Sequence, residues 1–151
     1  MTLSLDLPAV AAGLAACYDG LSAPGAARSV RSSTSEAPKA ITATPCVVVW
    51  PESGDITVGD GRMSGEHEFT AVLYLDQREA DPARSTRAEQ AWVAPMLGAT
   101  LGRSALGLAP LVVKALPVRY QLGVTSYAGQ EHPSVSVTVR VWTRHPAAMT
   151  P

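Results

Sequence analysis

The stretch Ser134-Val135-Ser136-Val137-Thr138-Val139-Arg140-Val141-Trp142-Thr143 alternates small or polar residues with valine without a break. In an extended chain successive side chains point to opposite faces. Val135, Val137, Val139 and Val141 therefore share one face, and Ser136, Thr138, Arg140 and Trp142 share the other. This is the signature of a strand with one side in a core and one side open. Just upstream, Val118, Tyr120, Leu122 and Val124 alternate with Arg119, Gln121, Gly123 and Thr125, and Ala128-Gly129-Gln130-Glu131 supplies a turn. The two runs read as a closing antiparallel hairpin. Their apolar sets meet on one face only if an even-numbered residue pairs with an odd-numbered one, because a slip of one residue sends every valine to solvent. Pairing Leu122 with Val139 satisfies this. It sets Arg119 opposite Trp142 and Gln121 opposite Arg140, which gathers two guanidiniums and an indole on the open face.

Working outward, Cys46-Val47-Val48-Val49-Trp50 is a continuous apolar run between Pro45 and Pro51, the form of a strand inside a sheet. Gly54, Gly59, Gly61 and Gly65 then mark a loop or irregular hairpin. From Glu68 to Leu75 a second strand places Phe69, Ala71, Leu73 and Leu75 on one face and Thr70, Val72 and Tyr74 on the other, so both faces are candidates for burial. Two helical stripes complete the pattern. The first is capped by Asp6, carries Leu7, Val10, Ala11, Leu14 and Tyr18 on one face, and stops at Gly20. The second opens at Asp81-Pro82 with Ser85 or Thr86, carries Ala88, Ala91, Trp92, Met96 and Ala99, and holds Pro95, which predicts a kink or break near Ala91 to Val93. Between the first helix and the first strand, residues 21–45 are rich in Ser, Ala, Thr, Pro and Gly. Beyond Val30 and Ile41 they offer little apolar surface, so they are expected to be an extended arm that orders only against a neighbour. The fold class predicted is α+β, one domain over residues 1–151, with an antiparallel sheet and two main helices packed on it.

At 151 residues with a net charge of −1 and 17% charged side chains, the chain has neither the basic balance of a bulk nucleic-acid binder nor that of an acidic disordered tail. Cys17 and Cys46 are the only cysteines, too few for a disulfide framework or a zinc site. Leu14-Ala15-Ala16-Cys17 has the outline of a lipoprotein cleavage box but lacks a basic n-region, and Asp6 and Pro8 interrupt the approach. The run Ala105 to Val113 is broken by Gly107 and Pro110 and is far shorter than a membrane span. A soluble protein made inside the cell is expected.

Chemistry-bearing clusters are sparse. Glu66-His67-Glu68 splits across a strand, with the two carboxylates on one face and the imidazole on the other, so it reads as a solvated strand start rather than a metal site. Asp55 and Asp60 flank Gly59 without the spacing of a calcium loop. No nucleophile elbow, phosphate loop or dinucleotide fingerprint occurs. No catalytic residue, metal or cofactor is therefore expected. The group that stands out is Arg119, Arg140 and Arg144 with Trp142 on the polar face. A solvated sheet surface is the simpler account, and contact with a partner subunit or with passing nucleic acid is the functional one.

The order helix, long arm, proline-bounded strand, second strand, helix and closing hairpin resembles the tail terminator, or tail completion, proteins of long-tailed bacteriophages and their head–tail joining relatives. The resemblance runs from about Leu3 to His145 and is carried by Pro45 to Pro51, by Phe69 to Leu75 leading into the helix Arg87 to Leu101, and by the final hairpin with Gly123, Tyr127 and Gly129. It implies a non-enzymatic virion protein of the tail or neck, made in the host cytoplasm. It further implies a homo-oligomeric ring, commonly of six subunits, that caps the tail tube and joins it to the head connector. In that setting Arg119, Arg140, Arg144 and Trp142 would face a neighbouring subunit, the tube protein, the connector or passing DNA, with no membrane involved. The competing readings are a neck or head-closure protein of the same particle, and a small α+β ligand-binding domain or enzyme.

Overall fold

In a computed structural model, which describes residues 5–59, 62–76, 82–103 and 105–146, five strands form one mixed sheet with two helices on one face. In chain order the elements are α1 (Leu7–Tyr18), β1 (Ser32–Thr34), β2 (Cys46–Gly59), β3 (Arg62–Tyr74), α2 (Pro82–Gly98), β4 (Val112–Tyr127) and β5 (Gln130–Pro146). Asp60, Gly61, Asp81 and Leu3 lie outside the described residues. The strands lie in the order β1-β2-β3-β5-β4. Two hairpins, β2–β3 and β4–β5, are thus joined along the β3–β5 seam, with α2 as the connection between them.

The alternation of β5 does what its period requires: Val135, Val137, Val139 and Val141 are all fully buried. They form one core with Val47, Val49, Phe69, Ala71 and Leu73 from the other strands. Val10, Leu14 and Tyr18 of α1 and Trp92 and Met96 of α2 close that core from above. Each such side chain removed from water contributes about 1.5–3 kcal/mol, so this layer supplies most of the drive to fold. Asp6 caps α1 by accepting from the Ala9 amide at 3.0 Å. Helix α2 continues through Pro95, so of the kink or break expected there the break does not occur, and Trp92 and Met96 are buried on either side of the missing hydrogen bond. Ala88, expected on the buried stripe, is exposed.

The other face of the sheet carries a second apolar cluster of Cys46, Val48, Val72 and Tyr74. Both sides of the Glu68–Leu75 strand are thus covered, as its pattern suggests. The cover on this side comes from the arm. Ile41 packs on the cluster, and the hydroxyl of Tyr127 donates to the Pro38 carbonyl. The arm has contacts within the chain itself: Val30 is buried, the Arg31 amide donates to the Pro45 carbonyl at 2.8 Å, and Ser33 donates its hydroxyl to the Ala15 carbonyl of α1. Its residues Ser32–Thr34 pair with Cys46–Val48 as a parallel strand. The expected purely antiparallel sheet is therefore mixed. The cause is the path of residues 35–45, which cross the second face and let the chain re-enter the sheet in the direction it left.

The closing hairpin also differs in register. Leu122 faces Val135, not Val139, and Arg119 faces Thr138, not Trp142. The reason is the turn. Ala128 and Gly129 both take positive φ, 50° and 81°, and make a two-residue loop closed by Tyr127 and Gln130, tighter than the four-residue turn expected. The shift is four residues, so the faces survive. A bulge between Pro117 and Arg119 then changes the parity, and β4 extends back to Val112, which the sequence pattern leaves outside the strand.

Of the two readings offered for the glycine-marked stretch, a loop or an irregular hairpin, the structure has the hairpin: β2 and β3 pair through Gly54, Gly65 and Gly59, with a bulge at Pro51/Ser53. Gly54 and Gly65 flank the ring of His67, which is buried and lies 3.0 Å from the Thr143 hydroxyl rather than in solvent. A methyl group on Gly54 would come within 2.6 Å of His67 Nδ1, and one on Gly65 within 2.5 Å of Nε2. The imidazole fits because neither neighbour has a side chain. Gly65→Ala should therefore lower stability by about 1–3 kcal/mol, as overpacking does, while Gly59→Ala, which meets nothing within 4 Å, should change it by far less in the same denaturant titration.

Burial among Val48, Val72 and Tyr127 pushes the Tyr74 phenol up from 10.0 to about 12. The folded state holds this proton more tightly than the unfolded chain, so Tyr74 contributes its full share below pH 10. That share is lost as pH climbs from about 10 to about 12. Denaturation midpoints measured across that window should fall, and Tyr74→Phe should flatten the decline.

Candidate functional site

On the arm side of the sheet, the end away from the Tyr74 cluster is bare and polar. Its rows follow from the strand register. Lys114, Trp142, Glu66 and Asp55 form one row across β4, β5, β3 and β2; Leu116, Arg140, Glu68 and Ser53 form the next; Arg119, Thr138, Thr70 and Trp50 form the third. Arg144, opposite Ser64, adds a further cation toward the chain end. All four residues singled out from the sequence, Arg119, Arg140, Arg144 and Trp142, lie on this one face, Arg119 and Arg144 exposed and Arg140 and Trp142 half-buried.

Their partners differ from those the sequence register implied. Arg140 donates to Glu68 Oε1 at 3.1 Å, with about a third of each side chain exposed. Trp142 lies under the Lys114 ammonium, 4.3 Å from the ring centroid, with the Arg140 guanidinium at 5.9 Å. Arg119 reaches the Thr138 hydroxyl at 3.4 Å. Glu52, set in the bulge after Pro51, accepts from Trp50 Nε1 at 3.1 Å and from the Thr70 hydroxyl at 2.9 Å.

Lys114 and the acidic residues Glu52, Asp55 and Glu68 were not legible as site members. Lys114 precedes the alternating run that starts at Val118, and Glu52 and Asp55 sit at and within the stretch that reads as a loop or irregular hairpin. The one usable signal was Glu66 and Glu68 two residues apart, which fixes them on one face of a strand.

The face is segregated by sign. Cations stand on β4 and β5 (Lys114, Arg119, Arg140, Arg144) and carboxylates on β2 and β3 (Glu52, Asp55, Glu66, Glu68), with Arg62 at the hairpin end the exception. Two shallow depressions lie along the boundary, one lined by Glu52, Glu68, Arg119 and Thr138, the other by Asp55, Glu66, Lys114 and Trp142. Both are open to solvent rather than enclosed, so the arrangement suits a broad protein or polyelectrolyte surface better than capture of a small molecule. The two thiols lie elsewhere: burial raises both Cys17 and Cys46 and leaves them in the neutral, unreactive form.

No family model matches the chain, and no curated protein matches it. Because the Arg140–Glu68 pair is partly solvated, its net worth is about 0.2–1 kcal/mol. Arg119→Ala combined with Arg140→Ala should leave the circular dichroism spectrum unchanged and shift the urea midpoint by no more than that pair's loss implies.

Proposed function

We propose that the chain is a structural virion protein of a long-tailed bacteriophage, a tail terminator that forms a ring capping the tail tube and joining it to the head connector. The observation that carries this reading is the open, charge-segregated sheet face bearing Arg119, Arg140, Arg144 and Trp142, a surface built for broad contact. The tail-terminator-like order of elements, from α1 through the arm to the closing hairpin, supports it. In this role the protein works by assembly, without catalytic residues or cofactor. The ring, six-fold by resemblance, stands between the tube protein and the connector, and its arginines meet a neighbouring protein or the DNA passing along the axis.

Cryo-electron microscopy of the particle tests this directly. The expected result is density for this chain as a closed ring on the tail axis at the head-proximal end of the tube. Its absence from the axis, or its presence as an isolated monomer, overturns the reading, and a position against the head vertex would assign it instead to head closure. Particles carrying Arg119→Ala with Arg140→Ala should dock tails or retain DNA less well. If the arginines touch phosphates, that loss should change with salt, whereas a protein-facing pair should disturb ring formation first.

A further inference from the structure

The open end of the polar face is a shelf with a wall. It runs along β5 from Thr138 to Arg144, about 20 Å of extended chain, and is four strands wide, about 15 Å between the outer strand axes. The arm crosses the same face at the Tyr74 end, through Ile41 and the Pro38 carbonyl that Tyr127 holds. It therefore stands one layer, about 10 Å, above the sheet. On the shelf most charges are not paired off. Arg140 and Glu68 form the ion pair that crosses the β3–β5 seam, whereas Lys114, Arg144, Asp55 and Glu66 form none among the described residues. The β4–β5 half thus keeps positive charge to offer, and the β2–β3 half keeps negative charge. Trp142, half-buried under Lys114, adds apolar area of the kind that anchors an interface.

Nucleic acid suits this shelf badly. A duplex, whose major groove alone is about 12 Å wide, overhangs a two-strand cationic half of about 10 Å, and its phosphates then come within a Debye length, about 8 Å, of Glu66 and Glu68. With Arg62 included, the described face sets five cations against four carboxylates, and the whole chain carries −1, so little field gathers a polyanion. A second copy fares no better. Turned about an axis along the strands, it brings cations over carboxylates but also arm over arm, which holds the two shelves about two layers apart. Turned about an axis across the strands, it clears the arm but lays β4 and β5 over their own counterparts, cation on cation. A single helix is about 10–12 Å across with its side chains, the height of the arm, and about 14 residues of it span 20 Å.

We infer that this shelf docks one helix of another protein, lying along the β3–β5 seam with an acidic edge over β4–β5 and a basic edge over β2–β3. Arg119, Lys114 and Arg144 meet the acidic edge, Asp55 and Glu66 meet the basic one, and Trp142 packs beneath the helix between them. The arrangement of charge, rather than its sum, selects the partner. This names the kind of partner for the surface already proposed to meet its neighbours; it rests on the virion reading for where that partner is met, not for the chemistry of the contact.

Nuclear magnetic resonance titration of the full chain at 0.15 M salt tests it with three probes. The first is a synthetic 14-residue helix, cross-linked to hold its shape, with glutamates along one edge and lysines along the other; the second has the same composition with the charges intermixed; the third is a 20-base-pair DNA duplex. The segregated helix should shift the Trp142 indole N–H and the Thr138 and Glu66 amides at sub-millimolar concentration, the intermixed one at least about fivefold more weakly, and the duplex least. Asp55→Lys combined with Glu66→Lys changes two exposed residues and should reverse the order, weakening the segregated helix and tightening the duplex at least about tenfold. Equal binding of the two peptides, no shift by either at millimolar concentration, stronger binding of the duplex to the native chain, or no gain of duplex binding by the variant each overturns the inference. Shifts of the same signals on concentrating the protein alone would give the shelf to a second copy and overturn it too. The virion assignment is judged separately by the particle images.

Discussion

Everything in this molecule hangs on a strand buried on one face and wet on the other. The valines of β5 are sealed at zero exposure while Arg140 and Trp142, one residue away, face the opposite direction. Because the side-chain period of a strand is two, neither set can move without the other. The helices have to lie on the valine side, where they find apolar surface, and the charged residues have to stand on the side that the helices leave free. The position of the polar surface is thus a by-product of where the core must be.

What the sequence made legible follows this logic. The faces of β5, of Glu68 to Leu75 and of α1 come from local periodicity, and Asp6 as a cap comes from one residue's chemistry, so each could be read without knowing what packs on it. The Leu122 register was not legible to better than its parity, since parity is set by burial but the absolute offset is set by the turn, and a two-residue turn at Ala128-Gly129 competes with a four-residue one. Long-range contacts were hidden altogether. Nothing near Ser32 announces that it pairs with Cys46 in parallel, and nothing near His67 says that its ring fits between two glycines on adjacent strands. Glu52 and Asp55 on the acidic half of the polar face were missed for the same reason, because glycine spacing in β2 fits a loop as well as a hairpin until the partner strand is present.

The arm shows how a polar, proline-rich segment can still be ordered. Its own apolar content is small, but it spends those few residues where they count. Val30 joins the main core and Ile41 the second cluster, and backbone bonds through Arg31 and a tether from Tyr127 hold the rest. In doing so it divides the far side of the sheet into a covered end and an open end. The open end, with its cations on one half and carboxylates on the other, exists because the arm stops short of it.

The β3–β5 seam sets how the chain finds this structure. Each hairpin closes over a turn of a few residues, but bringing Tyr74 beside Ser134 closes a loop of about 60 residues and orders α2 at the same time. Local pairing is fast and this closure is slow, because its entropy cost precedes the burial of the valines that rewards it. The chain therefore assembles as two halves that meet late. Until they meet, the β3 and β5 edges are both exposed, so crowding of nascent chains at this stage invites a half from one molecule to dock on the complementary half of another, giving swapped dimers in place of monomers.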